Sequence, residues 1–249
     1  MELKDKVVLI TGSSSGIGEA TAYLFAKEGA KIIINSKTNT VGGKKVAKKI
    51  VEDGGNAIYL QADVSDPKQV KKLFKAIIKK YKTIDILINN AGITRTLDFF
   101  SSKKDEWIQE FNDNFFGTVL CSQEAAKIMK KKGEGKILNT ASIRGLEHTG
   151  REGIMAYSAA KAAVVNFTKT LAKLLAPRIQ VNAIAPGFVY TPNYDPLPKE
   201  LKNKFIDNTL LKRWIKVDEI ARAFVFLAKA EAITGEVMVV DAGFTLKDG

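Results

Sequence analysis

KVVLITGSSSGIG, residues 6–18, runs an apolar segment directly into a glycine-rich turn and then into a stretch with helical spacing. Val7–Ile10 is a short unbroken aliphatic run, the pattern of a strand buried on both faces. Gly12, Gly16 and Gly18 follow with the spacing G-x-x-x-G-x-G. In the order strand, turn, helix, each glycine has a physical use: Gly12 permits the tight turn, Gly16 a close backbone approach to a pyrophosphate, and Gly18 the packing of helix on strand. The first amides of the helix then meet the phosphates. A dinucleotide is the expected ligand, with Ser14, Ser15 and Ile17 beside it.

Outward from this stretch, aliphatic runs alternate with amphipathic ones: KIIIN, a helix through VAKKIVED, NAIYLQ, a helix through VKKLFKAIIKKY, then DILINN. A helix from about Gly16 to Glu28 precedes them, and a long helix around Trp107–Lys131 follows, then GKILNTAS, a helix containing Tyr157, IQVNAIAPG and EVMVVDAG. This βαβ rhythm predicts an α/β fold, a doubly wound Rossmann-like three-layer sandwich on a parallel sheet of about seven strands. No Pro/Gly-rich linker or solenoid repeat divides residues 1–249, so one dinucleotide-binding domain is expected. FVYTPNYDPLPKELKNKF, with prolines at 192, 196 and 198, falls outside any strand pattern and is expected to form a substrate lid around 188–205.

A hydrophobic fraction of 45% and a charged fraction of 27% describe a globular chain and exclude disorder. No apolar run approaches the roughly 20 residues a bilayer demands, and MELKDKVVLITG enters a strand almost at once, so a cytoplasmic protein without a membrane partner is expected. One cysteine, Cys121, and one histidine, His148, leave no zinc site or internal disulfide to assemble, and a Ser-His-Asp hydrolase would have to use His148 in its glycine-rich loop. The net charge of +12 comes from lysines on the expected surface helices, with no aromatic or zinc-finger signature beside them, so nucleic acid is not an expected partner.

YSAAK, residues 157–161, places Tyr157 and Lys161 on one helical face. A free phenol has a pKa of about 10, and bringing it near 7 requires roughly 4 kcal/mol of preference for phenolate. A fixed ammonium in a partly dry site supplies much of that. KIIINSKT, at the end of the second strand, has Ser36 and Lys37 where an acidic residue would accept from a ribose 2′-hydroxyl. Nothing there rejects a 2′-phosphate and Lys37 can pair with it, which favours NADP while leaving NAD possible. Asp63, with Val64 in QADVSD, is placed to accept from an adenine amine.

TGSSSGIG, NNAG at 89–92, Asn114, Ser142, YSAAK and PGFVYT at 186–191 together resemble the short-chain dehydrogenase/reductases in order and register. The resemblance implies hydride transfer between a nicotinamide and an alcohol or carbonyl carbon, most similar to the reduction of 3-oxoacyl thioesters. Sugar or secondary-alcohol dehydrogenation is the alternative, and a dinucleotide-binding regulator without turnover the remote one. It implies Tyr157 as acid/base, Lys161 as the group that binds the nicotinamide ribose and lowers the tyrosine pKa, Ser142 as the hydroxyl on the substrate oxygen, and Asn114 as support for a relay water. Asn90, Ala91 and Gly92, with Pro186, Gly187, Val189 and Thr191, are implied as cofactor contacts. The four-residue Tyr–Lys spacing argues against the enoyl-reductase branch, and a homotetramer is implied.

Overall fold

The computed structural model describes residues 1–247; positions 248 and 249 of the expected domain lie outside the described residues. Seven strands pair in parallel: β1 (Val7–Ile10), β2 (Lys31–Ser36), β3 (Asn56–Gln61), β4 (Ile86–Asn89), β5 (Gly135–Thr140), β6 (Ile179–Pro186) and β7 (Val237–Val240). Their order is β3-β2-β1-β4-β5-β6-β7. The doubly wound α/β fold expected from the aliphatic runs is therefore the fold observed. Strand order reverses between β1 and β4, opening a crevice at their carboxyl ends, and both the glycine turn and NNAG leave the sheet at that point.

Helices cover both faces. On one, α1 (Gly16–Lys27), α2 (Thr40–Glu52) and α8 (Val217–Lys229) bury Phe25, Val46 and Phe224 against Val8, Ile10, Ile32 and Ile34. On the other, α3 (Pro67–Tyr81), α5 (Gly117–Lys132) and the end of α6 (Met155–Leu175) bury Phe74, Met129 and Ala172 against Leu9, Ile33, Leu87 and Ile137. Alternate strand residues thus feed opposite layers, which is why the strands show no polar alternation. Entry to α3 follows local chemistry: Asp66 caps the amides of Lys68 and Gln69, with Pro67 at the first helical position.

Two expectations change. The single long helix around Trp107–Lys131 is α4 (Lys104–Phe111), a π-helical turn over Asn112–Phe116, and then α5. The proline-bearing segment is also not all loop, since Pro192–Tyr194 forms a short 3₁₀ turn and Lys199–Asp207 forms α7. Among the described residues no helix is long and apolar enough to cross a membrane.

Candidate active site

The turn after β1 is shaped as its glycines require. Gly12 has φ +63°, and a Cβ there would lie 2.7 Å from Ala91 Cα; one on Gly18 would lie 2.5 Å from the Gly12 carbonyl oxygen. Ser15 precedes α1 in extended conformation and its side chain makes no capping bond. The Asn90 side chain donates to the carbonyls of Thr11 and Gly12, both at 3.1 Å, and the Thr11 hydroxyl accepts from the amides of Asn90 and Ala91 at 3.0 Å. Asn90 thereby fastens the β4 end to the glycine turn. Thr11 was not legible as a functional residue, although its place at the strand end was.

A cavity of about 530 Å³ opens over these loops, within the range of small-molecule and cofactor sites. Gly12, Ser15, Gly16 and Ile17 line one end, with Asn90, Ala91 and Gly92 beside them. Asn114, Ser142, Tyr157 and Lys161 line the floor, and Pro186, Gly187, Val189 and Thr191 the opposite wall. Tyr194 and Leu197 of the expected lid border the same space. Ser14, Gly18, Ser36, Lys37, Asp63 and Val64 lie off this cavity, and Val64 is a core residue packed beside Gly117.

Tyr157 and Lys161 are one turn apart at the start of α6. The Lys161 ammonium donates to the Thr140 carbonyl at 2.8 Å and sits 5.7 Å from the Tyr157 ring centre. Burial pushes Lys161 down to about 8, with the Glu110 carboxylate acting against it. Burial also raises Tyr157, and the facing hydroxyls of Ser142 and Thr94 act in the other direction. Burial outweighs them, so the expected lowering of the phenol is not what the protein groups alone produce. Ser142 is buried and accepts from the Arg144 amide at 3.1 Å, which holds its hydroxyl at the end of β5.

Asn114 sits in the π-helical turn, a local widening common at functional sites. Its amide donates to the Ile93 carbonyl at 2.7 Å and to Glu110, and its oxygen accepts from the Ile93 amide at 3.1 Å. With both ends engaged by protein atoms, the side chain braces the site.

At the β2 end, Ser36 is buried and donates to the Asn39 carbonyl at 2.9 Å, with the Tyr59 hydroxyl 3.0 Å away. Lys37 lies 2.8 Å from Asp63 and 3.8 Å from Asp113. The Asp63 bond raises the Lys37 pKa. Burial works to raise Asp63, yet bonds from Lys37 and Ser65 outweigh it and hold the carboxyl low. His148 is exposed beside Glu147, far from any triad geometry, and burial pushes the Cys121 thiol up to about 12, the mark of an inert core cysteine.

A family model described as enoyl-(acyl carrier protein) reductase matches residues 12–245. A 3-oxoacyl-(acyl-carrier-protein) reductase of Synechocystis is 39% identical over 248 residues, 98% of each chain. The chain belongs to the short-chain dehydrogenase/reductases. Reductases of the same name from Thermotoga maritima and Aquifex aeolicus are 39% and 38% identical, covering 99% and 98% of this chain and 100% and 98% of their own. As a short-chain dehydrogenase/reductase the protein is an oxidoreductase of CH–OH or carbonyl groups that uses a nicotinamide dinucleotide.

Proposed function

We propose that this short-chain reductase is an NADPH-dependent 3-oxoacyl thioester reductase of the cytoplasm, acting on acyl groups borne by an acyl carrier protein. The observation that carries the reading is the convergence of Ser142, Tyr157 and Lys161 on one cavity, in a chain whose near-full-length relatives bear that name. The four-residue spacing of Tyr157 and Lys161 supports it over the enoyl reduction named by the family model.

The glycine turn and the first amides of α1 would hold the pyrophosphate, Asn90 to Gly92 with Val189 and Thr191 the nicotinamide half, and Ser36 with Lys37, off this cavity at the end of β2, the 2′-phosphate. When bound, NADPH supplies the hydride that reaches the carbonyl carbon. Ser142 holds the substrate oxygen by its hydroxyl. Tyr157, kept protonated by burial, gives its proton to the alkoxide as negative charge develops there. Lys161 stabilises the phenolate that remains and binds ribose hydroxyls through its ammonium. No group in this scheme must become a covalent nucleophile.

The test is NADPH oxidation with 3-oxoacyl thioesters, aldoses and simple ketones in parallel, and the reverse reaction with the alcohols. Fastest turnover of thioesters is expected. Faster turnover of aldoses or secondary alcohols would install the alternative, and cofactor binding with no turnover of any would leave a regulator.

We also read residues 1–249 as one domain with a lid at 188–205, assembled as a homotetramer. Phe116 on the α5 side, Phe226 on α8 and Val239 on β7 are large apolar side chains exposed in the single chain, and subunit contacts related by two-fold axes would cover them. Light scattering at micromolar concentration tests this, and a 27.3 kDa particle would overturn it.

A further inference from the structure

Glu110, on α4, is fully buried, and a buried carboxylate persists only where its charge is compensated and its oxygens are bonded. One oxygen accepts from the Asn114 side-chain amide at 3.0 Å, and the other pairs with Arg95 at 2.9 Å. Arg95 forks, and its second nitrogen reaches Asp113 at 2.6 Å. Asn114 Nδ2 also reaches back to the Glu110 backbone carbonyl at 3.1 Å. Glu110 is thus bound through its side chain and its backbone to a residue of the cavity floor, while Arg95, partly exposed, carries the compensating charge toward the surface.

Gly92 shows how near this arrangement comes to the reacting groups. A Cβ built there would lie 2.7 Å from Asn114 Oδ1 and 3.5 Å from Lys161 Nζ, so brace and ammonium flank the same backbone position. We propose that Glu110 is a positioning residue of the active site: held by Arg95, its carboxylate fixes the Asn114 amide and provides the buried negative charge opposite the Lys161 ammonium. The proposal rests on the roles given above to Tyr157 and Lys161.

Electrostatics agree with the geometry. Burial drives Lys161 toward its neutral form, and Glu110 is the carboxylate that opposes this. The same charge acts to keep the Tyr157 phenol protonated. The charged and titratable groups around this cluster are Arg95 from the loop after β4, Asp113 in the π turn, Lys37 reaching Asp113 from the end of β2, and Tyr157 with Lys161 on α6. Removing the Glu110 charge should therefore release a proton from Lys161 or Tyr157 at lower pH, whichever of the two sets the alkaline limit.

Glu110→Gln keeps an oxygen for Asn114 and removes the charge, together with the bond accepted from Arg95. In the pH profile of kcat/KM for reduction, its alkaline limb should move down by about one unit, the scale expected for a nearby buried opposite charge. Glu110→Asp, which keeps the charge, should restore the limb, and Glu110→Ala should lower the plateau itself by about tenfold or more through a misplaced Asn114. If Glu110→Gln does not fold, Arg95→Gln is measured instead: a buried carboxylate without its compensating charge no longer supplies full negative charge beside Lys161, so the limb should move down as well. A lowered melting temperature with an unmoved limb would make Glu110 merely structural and overturn the proposal. Tyr157→Phe assayed alongside separates the two readings: an active Tyr157→Phe enzyme refutes the proton-donor assignment, whereas an inactive one with an unmoved Glu110→Gln limb refutes this proposal alone.

Discussion

Lys37 and Asp63 form an ion pair at 2.8 Å across the ends of β2 and β3, joining the residue expected to bind a 2′-phosphate to the one expected to bind adenine. A phosphate arriving at Lys37 must share the ammonium with Asp63 and with Asp113 at 3.8 Å. Lys37 is half exposed, so the pair is screened and leaves the ammonium available. Lys37→Ala should lower kcat/KM for NADPH by about tenfold to a hundredfold, the worth of a charge-assisted hydrogen bond, with little effect on NADH. Ser36→Asp should shift preference toward NADH, because a carboxylate repels the phosphate and accepts from the free hydroxyl. A wild-type enzyme already preferring NADH by about tenfold would show that this end of the site has been misassigned.

Tyr157 is the proton donor in this scheme, and its deletion is the most direct chemical test. Tyr157→Phe should lose about 10²–10⁴ in turnover while fluorescence titration shows NADPH binding nearly intact. Wild-type reduction should also weaken as pH rises through about 8, where Lys161 loses its proton and its charge beside the phenol. A rate that climbs through that range would separate Lys161 from the proton transfer.

Much of this was legible in the chain because it depends on local pattern. Aliphatic runs such as ILIN and KIIIN can only be strands buried on both sides, and TGSSSGIG carries its backbone conformation in its glycines. Other features depend on tertiary contact and leave no local mark. Glu110 has the sequence surroundings of a solvated helix residue; its burial follows from Arg95, fifteen positions earlier and delivered by the loop after β4. NDNFF has the composition of ordinary helix, so its π turn was not visible. The prolines at 192, 196 and 198 interrupt any regular pattern just before KELKNKFID, whose spacing suits the helix it forms.

Glu219 opens α8 and makes a two-pronged pair with Arg213, both bonds at 2.7 Å, while accepting from the Lys216 amide at 2.8 Å. Its pKa is held down to about 2, first by Arg213 and then by the Lys216 amide. Because the folded-state value is depressed, the stabilisation is fully present above the unfolded value near 4.5 and is lost as pH falls from there through about 2. The pair is partly exposed, so its worth is that of a surface bridge rather than of the whole shift. Glu219→Gln should lower the melting temperature by about 1–3 °C at neutral pH, with the difference from wild type fading as the pH approaches 2. A difference that stays constant across that range would assign the effect to packing.

Trp214 holds the expected lid by stacking. Its ring lies 4.9 Å from Tyr194, 5.6 Å from both Tyr190 and Phe205, and 6.5 Å from Phe188, while Phe244 meets Phe188 at 5.1 Å. Such pairs contribute roughly 0.5–1.5 kcal/mol each beyond area burial, so a few kcal/mol of contacts hold the segment in place, and a lid would exchange them for contacts with ligand. Tyr194 and Leu197 already border the cavity, and closure over substrate would exclude water from Tyr157 and Lys161. Trp214→Ala should accelerate protease cleavage within 188–205 by about tenfold or more, since cleavage follows the population of the open form. NADPH or substrate should slow cleavage in wild type, and substrate KM should rise in the variant. Equal cleavage of wild type with and without ligand, or none within 188–205 in either protein, would leave a rigid wall and refute the lid.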